Sequence, residues 1–271
     1  MCLMVLNWRP EAEVPLLLVA NRDEFRARPT EPMHWWPQTA GQPAILAGRD
    51  QQAGGTWLAI GKGGDFALLT NIRPGYIGRT AERSRGELPL RFIRHIAAGG
   101  SIESFHAEVR PEITVYGGFN LVIGNAQRLF WFSSDHPDGQ WLQPGIHALS
   151  NDALDTPWPK TELACRQMAT HTAVLETDFA QASVLTDRTT VADAQLPSTG
   201  VPTDIERQLS AQTITGERYG TRCRTWLRVH ADGRFAVEEV QLDDSGEVTD
   251  SRHFAENRTS RSDETSVFPA R

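Results

Sequence analysis

A cysteine follows the initiator methionine directly, and the chemistry of this chain would start there. Loss of Met1 would leave Cys2 with a free α-amino group beside its own thiol. One residue would then carry both a nucleophile and a base. The thiolate is the attacking species, and an ordinary cysteine has a pKa near about 8.5. An α-amine titrates near about 7.7–8.0, so it can accept that proton close to neutrality. Arg22 and Asp23 follow in the run Leu16-Leu17-Leu18-Val19-Ala20-Asn21-Arg22-Asp23-Glu24-Phe25. Arg22 would favour the thiolate, and Asp23 could orient the ammonium by a hydrogen bond. Asn71 and Asn151 each end a segment that reads as a strand. Two such amides are what an acyl-transfer site would set against a developing oxyanion, and loss of one donor can cost about a hundredfold or more in rate. On spacing alone, a buried strand cysteine and a solvated Asn-Arg-Asp-Glu turn account for the same residues. Asn71 would equally cap a turn, and Asn151 the helix that follows it.

The elements that must position these residues are legible in outline. Cys2-Leu3-Met4-Val5-Leu6 reads as a strand, Arg9 to Pro15 as a polar loop, and Leu16 to Ala20 as the returning strand of a hairpin. That return would bring Asn21, Arg22 and Asp23 back to the level of Cys2. Ala27 to Pro43 reads as an irregular, proline-rich loop, with Trp35 and Trp36 as rim or lid. Thr56–Ile60 and Phe66–Thr70 read as strands paired across a glycine-rich turn. Gly54 and Gly55 before them would permit close backbone approach. The turn lacks the spacing of a phosphate loop. Helices are expected over Gly86–Ala98 and Ser101–Val109, the second with Ser101 as N-cap. Strands follow at Gly118–Ile123, Arg128–Phe132 and Gly145–Asn151. Further helices are expected at about Lys160–Thr170 and at Asp204–Ile214, the latter with Ile205 and Leu209 inward. A meander over Arg222–His230, Arg234–Leu242 and Val248–Phe254 ends the ordered part. Residues 256–271 read as a disordered tail, which leaves a single domain over 1–255. The order of elements suggests two packed antiparallel sheets with helices outside, an α+β fold of αββα four-layer type.

Ala20-Asn21-Arg22-Asp23-Glu24-Phe25 resembles the signature of the NRDE family, also called Transport and Golgi organization 2. The resemblance continues in Gly54-Gly55-Thr56-Trp57-Leu58, Leu69-Thr70-Asn71-Ile72-Arg73, Arg85-Gly86-Glu87-Leu88 and Phe119-Asn120-Leu121. It runs on through Leu149 to Lys160 and ends at Glu217-Arg218-Tyr219-Gly220-Thr221-Arg222. These blocks stand in family order over roughly residues 1 to 242. The family in turn resembles the cysteine branch of the N-terminal-nucleophile hydrolases, with penicillin V acylase and bile-salt hydrolase, which implies the same αββα fold. By that resemblance Asn151 is the stronger oxyanion candidate, and Arg222 corresponds to a late arginine beside the nucleophile. A surface strand arginine fits Arg222 nearly as well. One feature departs from the bile-salt hydrolase pattern, which places its arginine three residues before the aspartate. Here Arg22 immediately precedes Asp23, and on one strand the two side chains would point to opposite faces.

Composition narrows the class. The chain of 271 residues is 39% hydrophobic and 23% charged, as expected of a globular protein with a sizeable core. A net charge of −7 gives nucleic-acid binding no bulk electrostatic support. The three cysteines, Cys2, Cys165 and Cys223, are scattered, which points to a reducing compartment and away from a disulfide framework or metal site. No signal-peptide pattern is visible, and the apolar run Val14–Ala20 is too short to span a bilayer. A cytoplasmic protein without stable membrane insertion is the expectation. Two functional classes remain open. One is a cysteine amidohydrolase acting on a small acylated molecule, with Cys2, Arg22, Asp23, Asn71, Asn151 and Arg222 as its site and no cofactor. The other, carried by the family resemblance, is a binding or trafficking protein for haem or an acyl lipid on the same fold. Any of eight histidines, or Cys2 itself, could ligate a haem.

Overall fold

Alternation builds the first hairpin. In β1 (Cys2–Trp8) and β2 (Leu16–Phe25), the even-numbered Met4, Leu6, Leu16 and Leu18 enter one core and the odd-numbered Leu3, Val5, Leu17 and Val19 enter another. A strand with both faces buried needs a near-continuous apolar run, and Leu3–Leu6 and Leu16–Ala20 supply it. The structure is a computed structural model, described over residues 2–37, 41–73 and 81–256, with the backbone alone for Cys2. Retention or loss of Met1 and the expected tail beyond Glu256 lie outside the described residues.

Next come β3 (Thr30–Trp35), β4 (Ile45–Asp50), β5 (Leu58–Gly61) and β6 (Phe66–Asn71), followed by α1 (Glu87–Ala97) and α2 (Ile102–Val109). The chain continues with β7 (Phe119–Gly124), β8 (Leu129–Ser133), β9 (Gln140–Trp141) and β10 (Gly145–Leu149). It closes with α3 (Pro159–Leu175), α4 (Thr203–Leu209), β11 (Tyr219–Val229), β12 (Phe235–Leu242) and β13 (Val248–Glu256). One antiparallel sheet has the order β10-β1-β2-β11-β12-β13, and the other β3-β4-β5-β6-β7-β8-β9. Three apolar clusters define the layers. Leu6, Leu18 and Leu227 meet Leu46, Leu58 and Leu68 between the sheets. Leu88, Phe92 and Phe105 of α1 and α2 cover the outer face of the second sheet. Ala164 and Met168 of α3 cover the outer face of the first. The result is the expected αββα layering. Each fully buried aliphatic side chain contributes about 1.5–3 kcal/mol to it. Among the described residues, no helix is long and apolar enough to cross a membrane.

Several elements differ from expectation. The proline-rich segment expected as a loop contains β3, and the next strand, β4, is a further addition. Pro32 is tolerated because β3 is an edge strand whose pairing with β4 shifts between Glu31 and His34. The adjacent tryptophans divide between faces. Trp35 lies 6.5 Å from Phe235, whereas Trp36 stacks on His34 and donates Nε1–H to the Ala47 carbonyl. In α4, Ile205 is exposed and Glu206 is buried instead, because Glu206 faces the buried Arg73 at 3.1 Å. Ser101 caps α2 as expected, in a reciprocal box with Ser104.

One junction ties the two sheets together at the end where β2 and β6 finish. After β10, the chain passes beside β6, where Thr70 Oγ1 donates to the Ser150 carbonyl at 2.6 Å. Asn120 of β7 donates to Thr70 Oγ1 and to the Asp152 carbonyl. The Arg73 amide donates to the Asn151 carbonyl at 2.9 Å. These bonds fix the ends of strands from both sheets around a single cleft.

Candidate active site

The cleft has a volume of about 120 Å³ and is lined by Arg22, Asp23, Glu24, Arg28, Asp50, Thr56, Trp57, Leu69, Asn71, Ser84, Arg85 and Gly86. β2 extends past its apolar stretch and delivers the first three. Cys2 pairs with Arg22 across the hairpin, so the first residue of β1 and the tip of β2 share one register position. β6 delivers Leu69 and Asn71 from the other sheet. Glycine closes the floor. A Cβ on Gly55 would lie 2.4 Å from the Gly86 carbonyl carbon, so the backbones can approach only because Gly55 lacks one. The Thr56 amide then donates to the Gly86 carbonyl at 2.8 Å.

Arg22 is 5% exposed. Its guanidinium carbon sits 4.4 Å from the centroid of the Trp57 ring, an arrangement in which the ring face attracts the cation. The nearest carboxylate, that of Glu24, is 3.9 Å from Nη2, beyond hydrogen-bond reach. Nη1 is buried and has no hydrogen-bond partner among the described residues. Arg28, by contrast, is engaged. It donates Nε–H and Nη2–H to Asp50 Oδ2 at 3.0 and 2.6 Å. Burial opposes ionisation of Asp50, but the bonds from Arg28 and from the Gln52 and Ala53 amides outweigh it and hold the carboxyl below its ordinary range.

Asp23 turns the other way, as the adjacency of the two residues on one strand predicts. Its Oδ1 accepts from Thr221 Oγ1 at 2.7 Å, and it is 2% exposed. Burial raises its pKa, and the charge of Lys160, the Thr221 bond and the charge of Arg22 offset this only in part. Lys160 itself is buried in α3 and donates to the Leu209 carbonyl at 3.0 Å.

Of the two expected amides, Asn71 lines the cleft and Asn151 does not. Asn151 is 1% exposed and donates Nδ2–H to the Asn71 carbonyl at 2.9 Å. It braces the backbone of the residue that faces the cavity. Arg222 is also absent from the lining. Its Nη1 donates to the carbonyls of Phe25, Arg26 and Arg28 at 3.0, 3.3 and 3.2 Å and so holds the turn that carries Arg28. A register shift between Thr221 and Cys223 explains the placement: Arg222 is the extra residue of a bulge.

With this geometry in place, comparison with known proteins is informative. The family model described as Transport and Golgi organisation 2 matches residues 1–244. The chain belongs to that family. It is similar to the human Transport and Golgi organization protein 2 homolog, with 30% identity over 90% of this chain and 94% of the human protein. The Drosophila melanogaster Transport and Golgi organization protein 2 is 32% identical over 42% of each chain. Among solved structures, a mutant conjugated bile acid hydrolase from Clostridium perfringens overlaps 96% of this chain and 98% of its own, at 10% identity and a TM-score of 0.42. An N-acylethanolamine-hydrolyzing acid amidase ortholog from Caenorhabditis elegans covers 68% of this chain and 89% of its own, at 10% identity and a TM-score of 0.35. At that degree of overlap, a functional reading has to rest on the residues of this chain.

The family segments converge on the cleft. Apart from Arg28, Asp50 and Ser84, every lining residue lies in one of four segments that carry the family resemblance. Thr221 and Lys160 also lie in such segments but were not singled out from sequence. Their roles come from contacts across the fold that local spacing does not encode.

Proposed function

We propose that the chain is a cysteine N-terminal-nucleophile amidohydrolase that cleaves a nonpeptide C–N bond in a small acylated molecule. The observation that carries this reading is the register of the first hairpin: Cys2 pairs with Arg22, which lines a cavity with Asn71 on its other wall. After removal of Met1, the Cys2 amine takes the thiol proton and the sulfur attacks the substrate's carbonyl carbon. The carbonyl π electrons move to oxygen, where Asn71 supplies an N–H. Collapse breaks the C–N bond, the ammonium returns its proton to the departing nitrogen, and a thioester remains. Water then hydrolyses the thioester and releases the acid and the thiol. In this scheme Asp23 orients the amine, Asn151 positions Asn71, and Arg222 steadies the turn at the rim. A cytoplasmic setting belongs to this reading and accords with three cysteines scattered along the sequence.

The second reading is a non-catalytic carrier of haem or an acyl lipid. It is favoured by a neighbouring groove of about 680 Å³, which shares Arg28, Asn71, Ser84 and Arg85 with the cleft. The cleft alone lies below the roughly 300 Å³ at which pockets for drug-sized ligands begin. Intact mass after expression, followed by labelling with a thiol-reactive acyl probe, tests the enzyme reading. Loss of Met1 with labelling that disappears in Cys2→Ala supports it. Retained Met1, or labelling unchanged in Cys2→Ala, overturns it. A stoichiometric Soret shift on haem titration would favour the carrier.

A further inference from the structure

Among the described residues, Arg22 is the cation of the cleft whose guanidinium has no hydrogen-bond partner. Among its guanidinium groups, Arg28 is held by Asp50 and Arg85 donates Nη1–H to the Gly118 carbonyl at 2.8 Å. Arg22 has Nη1 buried and without a hydrogen-bond partner among the described residues, and Glu24 stands 3.9 Å away from Nη2. Burying a charged donor unsatisfied is costly, so native proteins seldom do it without a functional reason. Trp57 offsets part of that cost by lying against the guanidinium, but a ring face accepts no directional N–H bond comparable to that of an anionic oxygen.

We propose that Arg22 is a specificity-determining residue that binds a carboxylate on the substrate, so that the molecule acted on is a small N-acylated acid. This inference rests on the amidohydrolase reading of the same cleft and adds the chemical class of the substrate. A carboxylate at the cavity wall would accept a charge-assisted bond from the guanidinium at Nη2, whose nearest carboxylate is 3.9 Å away, rather than at the fully buried Nη1. Thr56 and Ser84 add polar lining. The cavity, at about 120 Å³, is small beside the adjoining groove of about 680 Å³, which suits a carboxylate end in the cavity and the rest of the molecule outside it. The bulkier half of the molecule would occupy the adjoining groove along Ser84 and Arg85. Glu24 and Asp50 at the same cleft disfavour a second anionic group, so a monoacid fits better than a diacid.

The test is calorimetric titration of the full chain carrying Cys2→Ala, which cannot turn over a ligand. The probes are N-acetylglycine and its uncharged counterpart N-acetylglycinamide. N-acetylglycine is expected to bind at least tenfold more tightly than the amide, and Arg22→Leu in the same background should abolish that preference. Arg22→Lys should retain part of it, because the charge stays while the paired donor geometry goes. Equal affinity for the two probes overturns the proposal with no further variant needed, which guards against a misfolded Arg22→Leu protein. Retention of the preference in folded Arg22→Leu, verified by circular dichroism, also overturns it. The two readings fail separately. Carboxylate preference with no Cys2-dependent labelling would refute the hydrolase and leave an acid-binding site. Labelling without carboxylate preference would do the reverse.

Discussion

Two arginines lie on opposite faces of the β2–β11 pair, and both are almost inaccessible: Arg22 is 5% exposed and Arg224 is 6%. Arg224 faces the outer layer. It donates Nε–H to Asn21 Oδ1 at 3.1 Å and Nη2–H to Thr213 Oγ1 at 2.6 Å. Asn21 in turn donates to the carbonyls of Leu185 and Gln212. Burial, reinforced by the charge of Arg188, pulls Arg224 down to about 10, with Cys223 and Asp23 opposing, so it remains a cation at neutral pH. Among the described residues, Arg22 meets the Trp57 ring face and, at 3.9 Å from Nη2, the Glu24 carboxylate, with no hydrogen bond to either. Equal burial therefore conceals opposite roles. A guanidinium whose donors are used by its own fold holds that fold together, whereas one that lines a cavity with donors its own fold leaves unused can serve a ligand.

Truncation should separate the two most strongly. Arg224→Leu removes two bonds from a charged donor and strands Asn21 Oδ1, so it should cost about 3 kcal/mol in urea denaturation. Arg22→Leu removes an unsatisfied buried charge and should change stability by less than about 1 kcal/mol, with either sign. Equal losses in the two variants would break the distinction. A smaller but more specific perturbation is Gly48→Ala. The added methyl would lie 2.2 and 2.4 Å from the edge of the Trp57 ring, which must shift from beneath Arg22. Overpacking of this kind costs about 1–3 kcal/mol. It should also weaken N-acetylglycine binding without touching Arg22, and unchanged binding would show that the ring does not position the cation.

The contrast between these arginines was only half legible in the sequence. Adjacency of Arg22 and Asp23 on one strand implies opposite faces, and the structure has them so. Arg222 and Arg224 would share a face in a regular strand, yet the bulge at Arg222 sends one to the Phe25–Arg28 turn and the other beneath the outer layer. No local pattern announces that extra residue. The hairpin that organises the cleft was readable because Leu3–Leu6 and Leu16–Ala20 are continuous apolar runs. β3 was not, because Pro32 argues against a strand until the edge position and the shifted pairing are known. Glu206 illustrates a third limit. Helical spacing favours Ile205 for burial, but a distant arginine in sequence, Arg73, draws the charged neighbour inward. Membership of the family was readable from short motifs. Which asparagine faces the cavity depends on how β10 meets β6.

That last point yields a smaller effect. Asn151→Ala deletes the bond to the Asn71 carbonyl but leaves the backbone bond to Arg73 intact. It should cost about 1 kcal/mol and slow Cys2 labelling only through a loosened Asn71. Asn71→Ala should slow labelling by about a hundredfold if its amide meets the oxyanion, with little change in denaturation midpoint. The reverse order would make Asn151 the donor and Asn71 its support.

The least effect, and the one that depends on pH, belongs to Asp23, the residue that separates the two arginine environments. Burial raises its pKa in the folded chain above the ordinary carboxylate value. As pH rises through the window between those two values, the unfolded chain ionises first and the folded chain loses stability relative to it. Above the folded pKa the penalty is constant, and below the ordinary range it vanishes. Asp23→Asn keeps an oxygen to accept the Thr221 hydrogen bond but removes the buried charge. Its thermal midpoint should therefore match the parent chain in acid and exceed it increasingly towards neutrality, while Cys2 labelling falls because the amine loses its orienting carboxylate. A midpoint that instead drops at neutral pH would mean that the attraction to Lys160 and Arg22 outweighs desolvation. Asp23 would then stabilise its surroundings as an ion-pair partner, as Arg224 does through its bonds, and the strained polar chemistry at this end of the sheet would belong to Arg22 alone.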